Sequence, residues 1–300
     1  MSISSQPDAA PWTISRLLTW TTEFLERKEV DDPRLAGEVL LAHAAKCQRI
    51  DLYARFETVL DSAALTLFRE SIKRAGDHEP IAYLVGEKEF FSLRLHVTPD
   101  VLIPRAETEE LVECVIDLCR AAAWDAARLW DVGTGSGCMA IAVLSQLPTA
   151  TCLATDASVA ALEIARQNAT RHGLIDRMTF QTVDALSIMQ DAVPTGGFHL
   201  IMSNPPYIPA SQVATLDRAV RDFEPRSALT DESDGLSLYR TLAADAGPYL
   251  AHAGAVVVEI ADGCAEAVIK IMTGPGSLTH VQTRKDRVVG KERVLVFKKT

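Results

Sequence analysis

Asn204-Pro205-Pro206-Tyr207, within the run Ser203 to Ile208, combines residue types that suit one kind of chemistry. Two consecutive prolines remove two backbone donors and stiffen the loop, leaving carbonyls such as that of Pro205 free to face a ligand. The Asn204 side-chain oxygen is a further acceptor. Acceptors on a rigid loop match an NH2 group with two donors, and Tyr207 offers a flat face to a planar amide or base. An amide nitrogen is a poor nucleophile because its lone pair is delocalised into the carbonyl. Holding both N–H bonds turns that lone pair toward an electrophile and stabilises the positive charge growing on nitrogen. Asn204, Pro205 and Tyr207 are therefore the candidate catalytic residues, and Asn204, Pro205, Pro206 and Tyr207 the candidate substrate contacts. The bland alternative is a turn stiffened by prolines; it is disfavoured by the ligand loop upstream.

That loop is Asp131-Val132-Gly133-Thr134-Gly135-Ser136-Gly137, between an apolar strand and a helix. Glycines let the backbone turn sharply and approach a ligand closely. The spacing is G-x-G-x-G with an acid before it, unlike the G-x-G-x-x-G of dinucleotide folds. Asp156 ends the next strand, where a carboxylate can accept from ribose hydroxyls. Asp184 ends the strand after that. Asp131, Gly133, Thr134, Gly135, Gly137, Asp156 and Asp184 are the candidate cofactor residues. A strand-end aspartate also caps helices, and at Asp184 the two readings stay open. The absence of a P-loop lysine and of further phosphate-binding elements points to S-adenosylmethionine over ATP or NAD.

These residues need a scaffold, and the chain supplies one in three parts. Residues 1–76 read as helices: Ile14, Leu17, Leu18, Phe24 and Leu25 fall at helical spacing within Trp12 to Arg27. Pro33 fits a first helical turn ahead of a stripe of Leu35, Val39, Leu40 and Leu41, and a third helix is expected over Ser62 to Ala75. Nothing site-like occurs there, so this part reads as a docking or recognition domain. Residues 77–105 read as a linker with a β-hairpin around Glu89 to Leu95. Residues 106–300 alternate strand and helix, which implies a mostly parallel sheet covered on both faces. The expected strands are 127–132, 151–155, 178–183, 198–203 and 255–260, with closing strands near Val281 and Val294. Helices are expected over 107–122, 138–147, 159–172, 236–250 and 265–272. Ligands of such sheets bind beyond the carboxyl ends of strands, where the glycine loop and Asn204 both fall.

With these residues in place, the sequence resembles the PrmC/HemK family, the protein-(glutamine-N5) methyltransferases of peptide chain release factors. The resemblance spans nearly the whole chain. It is carried by Glu79-Pro80-Ile81-Ala82-Tyr83-Leu84-Val85-Gly86, Leu102-Ile103-Pro104-Arg105-Ala106-Glu107-Thr108-Glu109, the glycine loop, Asn204 to Ile208, Phe223-Glu224-Pro225-Arg226-Ser227-Ala228-Leu229 and Asp286-Arg287-Val288-Val289-Gly290. The Asn-Pro-Pro-Tyr motif alone is shared with adenine-N6 methyltransferases; the 102–109 and 223–229 segments are more specific. The resemblance implies a helical bundle, a hairpin linker and a seven-stranded, Rossmann-like methyltransferase domain. It implies the glutamine of a release factor's Gly-Gly-Gln loop as substrate and S-adenosylmethionine as cofactor, with S-adenosylhomocysteine as product. Gly133, Gly135, Asp156, Asp184 and Asn204 would hold that cofactor, with Phe91 and Arg105 nearby in roles left open. The chain departs from the family at Ala106, where proline is common, at Ala261, where glycine is usual, and at His199, where an acid is common. These changes bear on local loop geometry, and His199 reads as structural.

Composition narrows the partners. A formal charge of −10 opposes affinity for a phosphate backbone. Apolar runs fall short of the roughly 20 residues that cross a bilayer, and the first residues lack a signal-peptide pattern. Six scattered cysteines read as small buried hydrophobes without a metal site. A cytoplasmic monomer is expected, with no membrane or nucleic-acid partner. The rivals are a ribosomal-protein glutamine methyltransferase, a DNA adenine methyltransferase using the same pocket for a flipped base, and a non-catalytic cofactor-binding module.

Overall fold

A computed structural model describes residues 11–287 and 290–300. The first ten residues and Val288-Val289 of the 286–290 segment lie outside the described residues. The chain divides after Gly86 into two units.

The first unit holds α1 (Ile14–Arg27), α2 (Pro33–Ala44), α3 (Arg49–Ala54), α4 (Ser62–Gly76) and α5 (Ile81–Val85). The Thr13 hydroxyl starts α1 by accepting from the Arg16 amide at 3.3 Å, and the Asp61 carboxylate starts α4 by accepting from Ala64 at 2.8 Å. Ile14, Leu17, Leu18 and Leu25 of α1 bury against Leu40, Leu41, Phe68 and Ile72. Leu40 and Leu41 of the expected α2 stripe are buried, but Leu35 is exposed and Ala36 faces inward in its place. Neither α3 nor α5 was expected. In α5, Ile81, Leu84 and Val85 pack on the helical core, and Gly86 ends the helix at φ 74°.

The second unit opens with a hairpin, β1 (Glu87–Phe90) and β2 (Leu93–His96). Phe91 and Ser92 both take positive φ, as a two-residue turn between twisted strands requires. Phe90 and Leu95 are buried in the core of this unit. The expected linker 77–105 is therefore divided: residues to Gly86 belong with the helices, and the hairpin belongs with the sheet.

After the hairpin come α6 (Glu109–Ala121), β3 (Arg128–Val132), α7 (Cys138–Gln146), β4 (Thr151–Asp156), α8 (Val159–Arg171), β5 (Met178–Thr182) and β6 (Phe198–Ser203). There follow α9 (Arg218–Arg221), α10 (Arg226–Leu229), α11 (Ser237–Asp245), β7 (Leu250–Glu259), α12 (Ala265–Thr273), β8 (Leu278–Lys285) and β9 (Glu292–Lys299). The helix expected over 236–250 stops at Asp245, because Gly247-Pro248 cannot continue it, and β7 starts early at Leu250.

Seven strands form one sheet in the order β5-β4-β3-β6-β7-β9-β8. The first five are mutually parallel; β9 runs antiparallel to both its neighbours, β7 and β8. Alternate residues face opposite helical layers. Leu129, Leu200 and Val257 join α6 and α7 on one side; Trp130, Ile201 and Val256 join α11 and α12 on the other. The chain runs outward from β3 to β5 and then returns to β6 on the other flank of β3. This switch point opens a crevice at the carboxyl ends of β3 and β6. Register then sets its contents: Val132 lies opposite Thr155 and Ser203 opposite Val258. Gly133, Asp156, Asn204 and Glu259 so reach one edge. Among the described residues no helix is long and apolar enough to cross a membrane.

Candidate active site

A cavity of about 640 Å³ occupies that crevice. Its wall includes Gly133, Thr134, Gly135, Ser136, Asp156, Asp184, Asn204, Pro205 and Pro206, so most of the residues picked out by sequence meet in one place.

On one side the glycine loop is held by backbone and carboxylate together. The Gly133 and Thr134 amides both donate to the Thr155 carbonyl at 2.9 Å. The Gly135 amide donates to Asp156 Oδ2 and the Ser158 amide to Asp156 Oδ1, each at 2.9 Å. Asp156 thus shapes the loop and the start of α8 while keeping lone pairs for a ligand. Gly133 (φ 73°) and Gly135 (φ 54°) are left-handed, and a Cβ on either would project into open space. Gly137 differs: its Cβ would lie 3.1 Å from Ile141 and 3.2 Å from Ala165, so it serves helix packing.

Asp131 lies beneath the loop, fully buried. Its Oδ2 accepts from the Thr134 hydroxyl at 2.7 Å, while Oδ1 has no partner among the described residues. Burial pushes its carboxyl up to about 7, against the pull of Thr134. The Ser136 hydroxyl, also buried and on the cavity wall, likewise lacks a partner. Asp184 lines the cavity with an exposed carboxylate. Among the described residues no helix starts directly after it.

On the other side, the Ser203 hydroxyl donates to the Val132 carbonyl at 2.7 Å and fixes the exit of β6 to β3. Asn204 Nδ2 donates to the Thr108 hydroxyl at 3.1 Å, which leaves Oδ1 available to the cavity. The outgoing loop is clamped by a distant segment. The Ile208 amide donates to the Leu229 carbonyl at 3.0 Å and Ala210 to Ser233 at 2.9 Å. Gly235, at φ 77°, sits so close that a Cβ would lie 2.2 Å from the Tyr207 carbonyl oxygen. Asp231 closes this segment by accepting from the Ser233, Gly235 and Ser237 amides at 2.8, 2.9 and 3.0 Å. Burial alone would raise its pKa, but these bonds hold it down at about 2.

Tyr207 departs from expectation. Its ring packs against the Tyr239 and Val258 side of the core, and its hydroxyl turns toward Glu259 at 3.4 Å. It is absent from the cavity wall, because pairing with Thr230 directs it inward.

Sequence reasoning passed over several residues that the fold brings here. Thr108 lines the wall, and behind it Glu259 is buried, its carboxyl pushed up to about 7 by burial against the pull of Thr108 and Arg293. Arg105, named from the sequence with its role left open, lies on the wall and pairs with the buried Glu224. The 102–109 and 223–229 segments, singled out by resemblance, both contribute wall residues. Phe91 instead packs on the core, its amide donating to Glu109 at 2.8 Å. Ala106 and Ala261 both keep ordinary negative φ, so neither departure strains its loop. His199 Nδ1 accepts from the Arg128 amide at 3.0 Å, and its ring stacks on Trp124 at 4.8 Å, a structural placement.

Residues 16–86 match the PrmC N-terminal domain and residues 111–226 the methyltransferase small domain. The release factor glutamine methyltransferase of Rhodopirellula baltica is 38% identical over 291 residues, which cover 96% of this chain and 97% of that protein. That of Geobacter sulfurreducens is 39% identical over 283 residues, covering 93% and 96%. Among solved structures, the hMettl16 catalytic domain in complex with the MAT2A 3'UTR hairpin 6 gives a TM-score of 0.56 at 18% identity, over 69% of this chain and 76% of that one. That likeness is one of fold alone. Identity of nearly two residues in five along almost the full length of both chains is different in kind: the chain belongs to the release factor glutamine methyltransferase family.

Proposed function

We infer that this chain transfers a methyl group from S-adenosylmethionine to the side-chain nitrogen of the glutamine in the Gly-Gly-Gln motif of peptide chain release factors. One observation carries the reading: Asn204 is held by its nitrogen end, so that its oxygen is the end left for a substrate N–H.

The cavity fits the cofactor on its own evidence. Open space stands where Gly133 and Gly135 lack a Cβ, and on the same wall the Ser136 hydroxyl has no hydrogen-bond partner among the described residues. Buried polar atoms without partners suit a polar ligand. Asp156 and Asp184 would accept from ribose hydroxyls, and Asp131, Gly133, Thr134, Gly135 and Gly137 would shape the seat. S-adenosylmethionine, when bound, supplies an electrophilic sulfonium methyl.

The chain's own residues then present the nucleophile. Asn204 Oδ1 and the Pro205 carbonyl accept the two N–H bonds of the glutamine amide, which aims its lone pair and stabilises the charge that develops on nitrogen. Pro206 stiffens the loop. Until it loses a proton, the newly methylated amide nitrogen carries a positive charge and is strongly acidic, so water can take that proton without a strong base. Tyr207 braces the loop from behind, in line with its placement. The helical unit is read as the part that recognises the protein substrate. The same reading makes the chain a cytoplasmic monomer, with its charge of −10 opposing nucleic-acid substrates.

The test is competitive labelling. Full-length chain, methyl-labelled S-adenosylmethionine, a release factor, a ribosomal protein and duplex DNA are incubated together. Label is expected in the release factor. Label in DNA or the ribosomal protein, with the release factor unlabelled, would overturn the reading.

A further inference from the structure

The two ends of an asparagine carboxamide have nearly the same size and shape, so packing alone does not decide which end faces a ligand. Hydrogen bonding decides it. At Asn204 the nitrogen end meets the Thr108 hydroxyl, and Thr108, 2% exposed, forms part of the cavity wall. A hydroxyl has one proton to give. That of Thr108 turns toward the neighbouring Glu259 carboxylate, whose pKa it pulls down. An ionised carboxylate only accepts, so the Thr108 oxygen is left to accept from Asn204.

Glu259 is placed for this by the sheet. It ends β7, the neighbour of β6, and Ser203 and Val258 stand in register just before the two residues. It is 1% exposed and does not line the cavity, so it has no access to a substrate. Thr108 arrives from far along the chain, in the short turn Ala106–Thr108 that ends the 102–109 segment.

We propose that Thr108, backed by Glu259, is a positioning residue that fixes the Asn204 carboxamide with its oxygen toward the substrate amide. The proposal rests on the reading of Asn204 as an acceptor of substrate N–H. Reversed, the carboxamide would set its own NH2 against the substrate NH2, donor facing donor, and the lone pair would lose its aim. Removing the hydroxyl leaves the two orientations without a selector. Cofactor binding, on the far side of the cavity, should not respond.

The test uses the full-length chain at about pH 8, where Glu259 is ionised, with an intact release factor. Thr108→Val keeps the shape and removes the hydroxyl. Its kcat should fall about 10–100-fold, the range for losing a group that orients a reacting residue, while S-adenosylhomocysteine affinity stays at the wild-type level. Thr108→Ser should restore most of the rate. Combining Thr108→Val with Asn204→Ala should be no worse than Asn204→Ala alone, since Thr108 would act only through Asn204. Wild-type kcat in Thr108→Val beside an impaired Asn204→Ala would overturn the proposal and leave the site reading standing. Wild-type kcat in Asn204→Ala would overturn the site reading itself. Should Thr108→Val fail to fold, hydrogen exchange of the Asn204 side-chain amide in the wild-type chain decides. Slow exchange of one Nδ2 proton supports the proposal, and exchange as fast as in an exposed asparagine overturns it.

Discussion

The Arg105 guanidinium sits 2.5 Å from the Glu224 carboxylate and joins two segments 119 positions apart in the chain. The same carboxylate accepts from the Ile103 amide at 3.3 Å. Both segments line the cavity, so this pair helps to set the distance between its walls. The Glu224 side chain is 1% exposed and that of Arg105 33%. Burial pushes the Glu224 carboxyl up from its ordinary range, and Arg105 pulls it back.

Arg105→Ala should therefore destabilise the fold by about 2 kcal/mol, less than for a fully buried pair because Arg105 is partly solvated. The loss should depend on pH. Without Arg105 the folded-state pKa of Glu224 rises further, so stability is kept at low pH, where the carboxyl is protonated, and lost as pH rises. Thermal melts at about pH 5 and about pH 8 should show the larger deficit at the higher value. Equal deficits would contradict it.

Asp156→Ala should weaken S-adenosylhomocysteine binding by about 1.5–3 kcal/mol, the worth of a charge-assisted acceptor. Part of that loss comes through the glycine loop, because Asp156 also holds the Gly135 amide. Calorimetric titration checks it, and unchanged affinity in a folded variant would remove Asp156 from the cofactor site.

Asp131 and Glu259 both carry carboxyls pushed up to about 7, from ordinary values of 3.8 and 4.5, by burial. The folded chain thus holds these protons more tightly than the unfolded chain. Their contribution to stability is full below the ordinary values and lost as pH rises through about 7. Glu259→Gln cannot ionise, so its melting temperature should fall less than wild type between about pH 5 and about pH 8. A parallel fall in both proteins would show that Glu259 is not held neutral.

Residues lining the cavity all lie between Val101 and Thr241, whereas residues up to Gly86 form a separate unit. A chain starting at Glu87 should therefore bind S-adenosylhomocysteine like the full-length protein and methylate an intact release factor poorly. Equal activity of the two chains would deny the helical unit a part in recognition.

Much of this site was legible because its parts are local. The glycine loop, Asp156 and Asn204-Pro205-Pro206 each declare themselves through adjacent residues and through their position after an apolar strand. Thr108, Glu224 and Glu259 do not, since their partners lie up to 119 positions away and only sheet register and loop packing bring them together. Tyr207 misled for the same reason: its direction is set by pairing with Thr230. In the fold, α3 and α5, at six and five residues, are too short to show a helical period. The hairpin looked like a linker because burial of Phe90 and Leu95 is a property of the folded core.

The central claim is the atom that receives the methyl group. Tandem mass spectrometry of a release factor incubated with the full-length chain and S-adenosylmethionine should find one added methyl on the side chain of the Gly-Gly-Gln glutamine. A release factor with that glutamine replaced by glutamate, which has no amide nitrogen, should take up none. A methyl located on another residue, or undiminished uptake by the glutamate form, would contradict the account.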